Sequence, residues 1–433
     1  MTIPTHTALD PRPTPRGLEC GQKPTEPKSP LFVAVLGLAQ FGIFVALLGP
    51  VMVSMALKVN SLVTDPTERT SAVGLVLGVG AIAAFVGNAL FGRLSDRTTS
   101  RFGRRRPWLV GGVLVMALAL LAISQATAIW QLAVGWFIAQ LGANAAFAPY
   151  IATLADQLPE KQYAKVSAMV GTMQSVSILA ATAIATQFTE NMLALFMVPA
   201  LIGVITVVGY AAVLPDPVLR ERPAPLDLRT LASTFWVNPV KHPDFGLAWW
   251  SRFLIILSSF LFTTFRLNFL VDRVDLTDAE AAAAVFTGVL IYTVVLVVAS
   301  WVAGVISDRT GRRKGLVAAS SLLFGIGVAI LAQAHSLPAF YVVEAIMGVA
   351  YGIYVSVDLA LVLQVLPNPE DSGKDLGVFN MANAIPQSAA PFLGSVLLAS
   401  GAAAGPNYQL LFWGAAIAAA LGALVVLPIR KVK

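Results

Sequence analysis

Twelve mostly apolar stretches, each long enough to cross a membrane or close to it, follow one another along this chain of 433 residues. A bilayer hydrocarbon core of roughly 30 Å is crossed by about 20 residues of apolar helix. Backbone polar groups find no water there, and a helix satisfies them within its own segment. The composition, 57% hydrophobic and 12% charged, excludes an ordinary soluble domain. The sequence predicts an all-α membrane protein whose 12 transmembrane helices lie at approximately 31–57, 71–92, 107–125, 130–155, 164–188, 191–214, 247–270, 281–306, 315–335, 338–366, 377–400 and 408–428.

The basic residues are divided unevenly between the connecting segments. Cytoplasmic loops retain Lys and Arg, and 24 of the 29 such residues fall on one side if the chain starts inside. The other side holds only Lys58, Arg69 and Arg273, while Arg252 and Arg266 lie within an apolar stretch. We therefore expect a multi-pass protein of the cytoplasmic membrane with both termini cytoplasmic. The net charge of +6 is a topology signal on this interpretation, and no nucleic acid is expected as a partner.

A charged hinge occurs twice, each time between the second and third apolar stretches of a group of six. It reads GRLSDRTTSRFGRRR at 92–106 and GVISDRTGRRK at 304–314. LPEKQYAK after the fourth stretch likewise matches LPNPEDSGK after the tenth. Two such matches indicate an internal duplication. The predicted organisation is a disordered cytoplasmic tail at 1–30, a six-helix half at 31–214, a cytoplasmic linker at 215–246 and a second six-helix half at 247–433.

The pattern G-x-L-S-D-R followed by G-R-R resembles the loop signature of the major facilitator superfamily, and the resemblance extends over residues 31 to 428. It implies two six-helix halves that rock around a central site. In that family the loop latches the halves together on the cytoplasmic side. Asp96 is therefore expected near Asp375 and Leu376, and Asp308 near Lys165. The residues assigned to this cytoplasmic gate, whose basic members could alternatively serve topology alone, are Gly92, Asp96, Arg97, Arg104, Arg105, Asp156, Gly304, Asp308, Arg309 and Arg312.

A narrower resemblance comes from SDRTTSRFGRRRPW, AQFGIFVALLGP and APYIATLAD, which are similar to segments of the glycoside-pentoside-hexuronide cation symporters and the related sucrose transporters. Two departures limit what it implies. Ile151 stands five residues before Asp156, where the sucrose transporters have an arginine. Apart from Asp156, no acid lies within the first five apolar stretches, where melibiose-type members bind the coupling cation. Proton coupling is thus favoured over sodium coupling, and disaccharide specificity does not carry over.

Four ionisable side chains stand clearly inside predicted helices, and all four belong to the second half. Arg252 and Arg266 lie in the seventh helix, Glu344 and Asp358 in the tenth. At bilayer depth such a group costs about 2.5–3.5 kcal/mol on insertion scales, so each needs a partner or a function. Asp358 is the first candidate for a proton carrier and Glu344 the second. The alternative is a permanent pairing of Asp358 with Arg252 and of Glu344 with Arg266, or snorkelling of Arg252 to the surface.

Polar and aromatic residues follow helical spacing near these charges. Glu344, Tyr351 and Asp358 are each seven residues apart and share one face of the tenth helix. Lipid would not tolerate such a face, so it should meet water, a cation or a polar ligand. Amides and aromatic rings suit a hydroxylated ligand, although hydrogen bonding between helices is the alternative for each amide. The candidate substrate-binding residues are Arg266, Tyr351, Tyr354, Gln40, Asn144, Tyr150, Asn380, Asn383 and Gln387.

The sequence shows no phosphate-binding loop, no nucleophile–base constellation and no metal-ligand spacing, so neither an enzyme nor a cofactor is expected. It favours a secondary transporter that moves a small polar solute, a glycoside or sugar-like compound, with proton coupling by alternating access. The alternative is a proton-driven exporter of drugs or amphipathic metabolites. Exporters of the superfamily commonly carry a glycine-proline motif in the fifth helix, and its absence here favours uptake. The expected partners are the lipid bilayer, the solute and protons, with a monomer as the default.

Overall fold

Long helices make up nearly all of the chain that the computed structural model describes, which is residues 26–218, 237–367, 372–400, 405–430 and 432. The predicted tail therefore lies largely outside the described residues, as does the centre of the predicted linker, 219–236. The twelve helices are α1 (Pro30–Asn60), α2 (Pro66–Asp96), α3 (Arg106–Gln125), α4 (Ile129–Gln157), α5 (Glu160–Gln187), α6 (Met192–Val213), α7 (Pro243–Arg273), α8 (Asp278–Thr310), α9 (Arg313–Leu331), α10 (Leu337–Val365), α11 (Ser372–Ala399) and α12 (Tyr408–Val426).

Each of these helices coincides with one predicted apolar stretch, so the predicted fold class is confirmed. Within the described residues, eleven of the helices are long and apolar enough to cross a membrane. The other, α11, spans 28 residues and carries Pro386 and Pro391 in its interior. The protein is an all-α, multi-pass membrane protein.

Several helices extend beyond the apolar stretch that predicted them because polar residues cap their ends. Helix α2 begins at Pro66, and the side chain of Asp65 accepts a hydrogen bond from the Glu68 backbone N–H. Helix α8 begins with a reciprocal pair of bonds between Thr277 and Glu280. Apolar composition locates the part of a helix inside the bilayer, whereas capping residues determine where the helix starts.

The same helix contacts recur in both halves of the protein. In the first half α1 packs on α5 and α6, α2 on α4, and α3 on α4 and α6; in the second half α7 packs on α11 and α12, α8 on α10, and α9 on α10 and α12. Between the halves, α2 packs on α11 and α5 on α8. Each half also has one corresponding hydrogen bond between the start of its third helix and the segment after its sixth. Arg106 Nε donates to Leu214 O at 3.0 Å, and Lys314 Nζ donates to Ile429 O at 3.0 Å. The six-helix halves are pseudo-symmetric.

Two ends of the bundle can be distinguished by the short connections between helices. We call the end that carries the α2–α3 connection, 97–105, the basic end, since Arg101, Arg104 and Arg105 lie there. The opposite end carries the α1–α2 connection, 61–65, and the α7–α8 connection, 274–277. Successive helices joined by such short segments run in opposite directions, so the first residues of α1 and the last residues of α12 both belong to the basic end.

Glycine allows α3 and α4 to approach until their backbones touch. A Cβ atom added at Gly112 would lie 2.5 Å from the Ala146 backbone nitrogen, and one at Gly142 would lie 2.6 Å from the Met116 nitrogen. Small residues at such crossings are how membrane helices pack closely without a hydrophobic driving force. At Gly111, by contrast, an added Cβ would meet no atom within 4 Å.

We expect Gly112→Ala to lower the thermal stability of the purified protein, since the new methyl group would press on backbone that cannot move independently. Overpacking of this kind costs about 1–3 kcal/mol. The matched control is Gly111→Ala, one residue away on an open face, which should leave the melting temperature in detergent unchanged or slightly higher because alanine favours helix. Equal melting temperatures for the two variants would contradict the close α3–α4 contact.

Candidate functional site

Two charge pairs connect α7 to α10 inside the second half. The Arg252 guanidinium bonds Asp358 and also lies over the Phe379 ring of α11, 4.4 Å from its centroid. Arg266 Nη1 lies 3.3 Å from Glu344 Oε1, and their side chains are only 5% and 0% exposed. These are the two pairings predicted from the sequence as the alternative to a role in coupling. The Arg252 and Asp358 side chains are 16% and 7% exposed, so in both pairs the partner offsets part of a desolvation cost.

Tyrosines occupy the face of α10 between the two charge pairs. The Tyr351 and Tyr354 rings lie 5.7 Å apart, and Tyr351 also approaches the Tyr292 ring of α8 at 6.3 Å. Tyr354 is 3% exposed, and Tyr351 is half-buried. The predicted face of α10 is therefore polar and aromatic along its length, with an acid at each end and tyrosines between them.

Buried polar atoms of the Arg266–Glu344 pair, and one of α1, have unused hydrogen-bonding capacity. Arg266 Nε and Glu344 Oε2 have no hydrogen-bond partner among the described residues, and the same holds for Gln40 Oε1 of α1. Arg266 also reaches the first half, where its Nη2 lies 3.3 Å from Met52 Sδ. Met52 belongs to a π-helical segment of α1, Pro50–Ser54, a distortion that frequently marks functional sites. Buried groups with free bonding capacity are where a polar ligand or a water would bind.

The other predicted substrate-binding residues make hydrogen bonds within the protein or are exposed. The Tyr150 hydroxyl donates to Leu36 O at 3.0 Å inside the first half, and Asn144 Nδ2 donates to Gln140 O at 2.9 Å within α4. The first bond joins α4 to α1, as in the alternative of hydrogen bonding between helices, whereas the second stays within α4. On α11, Asn383 Nδ2 donates to Asn380 Oδ1 at 3.2 Å, while Asn380 and Gln387 are exposed. A role in substrate binding stays a prediction for all of these residues.

The charged hinge at the basic end folds onto its own half. Arg105 bonds Asp96 Oδ1 at 2.6 Å and Asp156 Oδ2 at 3.1 Å, and Arg104 bonds Asp156 Oδ1 at 2.8 Å. The side chain of Arg105 is only 5% exposed. Four of the predicted gate residues thus come together around a buried arginine. Among the described side chains, the partner of Asp96 is Arg105 of the same half. The expected position of Asp96 near Asp375 and Leu376 of α11 stays a prediction.

The remaining gate residues give a less complete picture. A Cβ at Gly92 would touch Ala148 at 3.8 Å, so this glycine lies at the α2–α4 contact, and the Arg97 backbone caps α2. In the second half, Gly304 has open space around it and Arg309 is exposed. Arg312 is the N-cap of α9. The side chains of Asp308, Asp375 and Leu376 lie outside the described residues, so the predicted contact of Asp308 with Lys165 and the gate as a whole stay predictions.

Asp216 also belongs to this cluster, although the sequence analysis did not single it out. Its Oδ2 accepts hydrogen bonds from the backbone nitrogens of Arg105 at 2.7 Å and Arg106 at 2.8 Å. Gly103 has a φ of +101°, and a Cβ there would lie 2.2 Å from Asp216 Oδ2, so only glycine fits this turn. The available signal was an acid between two prolines just after the sixth helix, in LPDPV. The start of the linker is therefore fixed to the hinge.

Comparisons with known proteins identify the fold and the family. The sequence model of the Major Facilitator Superfamily matches residues 31–301 and 269–433. The MFS-type transporter YfiU of Bacillus subtilis (strain 168), described as uncharacterized, is 33% identical over 111 residues, 26% of this chain and 21% of that protein. A protein of Synechocystis sp. described as an uncharacterized symporter is 49% identical over 45 residues, 10% of this chain and 8% of that protein. Both matches cover well under two thirds of the relative.

Solved structures agree with this fold over almost the whole chain. The crystal structure of a POT family transporter in complex with a thioalcohol conjugated peptide aligns with a TM-score of 0.71 and 13% identity, covering 91% of this chain and 95% of that chain. The nucleoside transporter NupG aligns with a TM-score of 0.71 and 13% identity, covering 92% and 99%. Identity this low shows a shared fold and carries no information on substrate.

We expect Arg105→Ala to destabilise the protein, because it leaves Asp96 without its partner and removes one of the two that hold Asp156. Loss of hydrogen bonds to charged groups costs about 1.5–3 kcal/mol. Arg101→Ala is the matched control, since Arg101 lies on the same connection but is exposed, and its guanidinium lies 4.8 Å from the centroid of the neighbouring Phe102 ring. The check is the melting temperature of each purified variant. A drop of equal size in both would mean that the buried cluster contributes nothing specific.

Proposed function

The chain belongs to the Major Facilitator Superfamily and is a membrane transporter, and from that premise we propose that it moves a small polar solute, a glycoside or sugar-like compound, by alternating access coupled to protons. The observation that carries the proposal is the buried Arg252–Asp358 pair of α7 and α10. A carboxylate kept out of water beside a single cation is a group whose protonation changes the charge of the whole site. We propose that one chain suffices, with the basic end in the cytoplasm.

Asp358 is the proposed proton carrier. Arg252 Nη2 donates to Asp358 Oδ2 in the structure, so the two side chains are held together in this conformation. When the carboxyl group takes up a proton, it loses its attraction for the arginine. Arg252 keeps its contact with the Phe379 ring, so it need not follow the carboxyl group. Alternating exposure of Asp358 to the two sides would then carry one proton with each cycle.

The proposed solute site uses unpaired buried atoms of three helices, α1, α7 and α10. Gln40 Oε1 and Glu344 Oε2 are acceptors that solute hydroxyl groups could satisfy, and Arg266 Nε is a donor. Gln40 belongs to the first half and lies twelve residues, about 18 Å, along α1 from Met52, the residue that meets Arg266. We therefore propose that Gln40 and the Arg266–Glu344 pair contact the solute at different depths of its path. The name of the Synechocystis relative supports symport over export. The absence of a glycine-proline motif in α5 supports uptake as well.

We expect Asp358→Asn to abolish uptake driven by an imposed proton gradient in proteoliposomes, while exchange of labelled for unlabelled solute continues. An amide cannot take up a proton, but it keeps the size and much of the hydrogen bonding of the carboxyl group. The probes are a panel of radiolabelled glycosides and pentoses, with and without an inward proton gradient. Glu190→Gln, the same chemical change on an exposed connection, should transport like the parent.

Three outcomes of that experiment have different meanings. Uptake in Asp358→Asn that still responds to the gradient would remove Asp358 from coupling. No glycoside uptake under any gradient, together with extrusion of a lipophilic dye, would replace the sugar proposal by a proton-driven exporter of drugs or amphipathic metabolites. Uptake driven by sodium alone would contradict proton coupling.

For any solute that the panel identifies, we expect Gln40→Ala to raise KM about threefold to tenfold with little change in the maximal rate. The reason is that one hydrogen bond contributes about 0.5–1.5 kcal/mol to binding, and 1.4 kcal/mol corresponds to a factor of ten. Gln125→Ala, at an exposed position near the end of α3, is the matched control. An unchanged KM in Gln40→Ala would place the solute away from α1.

A further inference from the structure

An ion pair joins the two halves at the end of the bundle opposite the basic end. Arg69 Nη2, near the start of α2, lies 2.8 Å from Asp272 Oδ1, near the last residue of α7. The side chains are 14% and 5% exposed. The second oxygen, Asp272 Oδ2, accepts a hydrogen bond from the Tyr408 hydroxyl of α12 at 2.7 Å. Asp272 is therefore held in place by its own half and presents one oxygen to the other half.

An amide connects the halves a second time at this end. Asn60 is the last residue of α1, and its Nδ2 donates to Asp278 Oδ1, the first residue of α8, at 2.8 Å. Its Oδ1 accepts from Asn268 Nδ2 of α7 at 3.3 Å. Both functional atoms of a first-half side chain are thus bonded to the second half. Asn268 itself is fully buried.

The sequence gives this ion pair a distinct character, because basic residues are rare at this end. Only Lys58, Arg69 and Arg273 occur there. Lys58 Nζ donates to Ser124 O at 3.0 Å within the first half, and the Arg273 guanidinium lies 6.0 Å from the Tyr408 ring centroid within the second. In the part of the chain that the structure describes, Arg69 is the one of the three whose side chain reaches across.

The helices beneath these contacts also interlock. A Cβ atom added at Gly74 of α2 would lie 2.4 Å from Ser395 Cβ of α11, and one at Gly78 would lie 2.5 Å from the Phe392 ring. Helices α2 and α11 therefore meet closely over the turns that follow Arg69. A rocking motion that opens this end has to separate α2 from α7 and α11, and α1 from α8.

We propose that Arg69, Asp272, Asn60 and Asp278 form a clasp that holds this end of the transporter closed, with Asp272 as the positioning residue that the Tyr408 hydroxyl orients towards Arg69. The clasp must release before a solute can pass this end. Arg69 keeps enough exposure for water to replace its partner, so release is reversible. The proposal does not depend on the solute or on proton coupling, and its test needs neither.

Pulsed electron–electron double resonance measures the distance between two spin labels, one in each half, and so reports the separation of the halves. Cys20 is the only cysteine in the chain, so Cys20→Ser gives a background in which labels can be placed at will. Thr127→Cys on the α3–α4 connection and His335→Cys on the α9–α10 connection are exposed and belong to opposite halves. A second pair, Thr99→Cys and Thr310→Cys, reports on the basic end.

The Thr127–His335 label distance should show two populations, a shorter one for the closed state and a longer one for the open state. We expect Asp272→Asn and Arg69→Gln each to raise the ratio of the open to the closed population about tenfold, which corresponds to about 1.4 kcal/mol. The Thr99–Thr310 label distance should shorten in the same samples, which distinguishes rocking from local unfolding. The doubly substituted protein with Arg69→Asp and Asp272→Arg should recover much of the closed population, because the pair is restored with its charges exchanged.

Glu68→Gln is the control, since Glu68 is an exposed acid one residue before Arg69. It should leave both distance distributions as in the parent. The proposal would be overturned by unchanged Thr127–His335 distances in Asp272→Asn and Arg69→Gln. It would also fail if the exchanged pair opened this end as far as the single variants do, since closure would then not depend on the Arg69–Asp272 contact. A broad distance distribution at both label pairs in the single variants would mean that the helices unfold. The contacts would then support folding, and the proposal of a reversible clasp would fail.

Discussion

The cost of holding a charged side chain in hydrocarbon determines how α7 lies against α10. Fourteen residues separate Arg252 from Arg266, and fourteen separate Glu344 from Asp358. At 1.5 Å per residue both intervals are about 21 Å, so two antiparallel helices can satisfy both pairs at once in a single register. Shifting one helix by a turn would leave four charges unpaired, at several kcal/mol for each ion. This register places the tyrosines of α10 between two layers of charge and sets the depth of the site.

The sequence contained enough to predict this part of the structure. Hydropathy located all twelve helices, and the repeated hinge predicted two equivalent halves, because both signals depend on a bilayer of fixed thickness and on short connections. Pairing by depth gave the correct partners for Asp358 and Glu344, since the choice within hydrocarbon is small. The ends of helices were less predictable. Asp65 and Thr277 start helices several residues before the apolar stretch begins, and their capping bonds do not register in hydropathy.

Residues near water were harder to place. Asp96 has many cations within reach at the basic end, and which of them it meets depends on the fold of one connection, where Gly103 and Asp216 bring Arg105 inwards. Tyr150 could have faced either side of α4, and periodicity alone does not show that its hydroxyl meets Leu36 O. The clasp joins residues about 200 positions apart in sequence, with no shared motif, so only the three-dimensional arrangement of α2 and α7 reveals it.

Helix α7 joins the proposed proton site to the proposed clasp. It carries Arg252, Arg266 and Asp272 on one helix of 31 residues. The Arg252–Asp358 pair lies wholly within the second half, so rocking need not break it, whereas protonation would. The contacts of Arg266 with Met52 and of Asp272 with Arg69 cross between the halves, so rocking must break them. If protonation of Asp358 is to favour opening of the end opposite the basic end, its effect has to be transmitted along α7 as a rigid displacement of the helix. Coupling would then depend on the stiffness of this helix as much as on the acid.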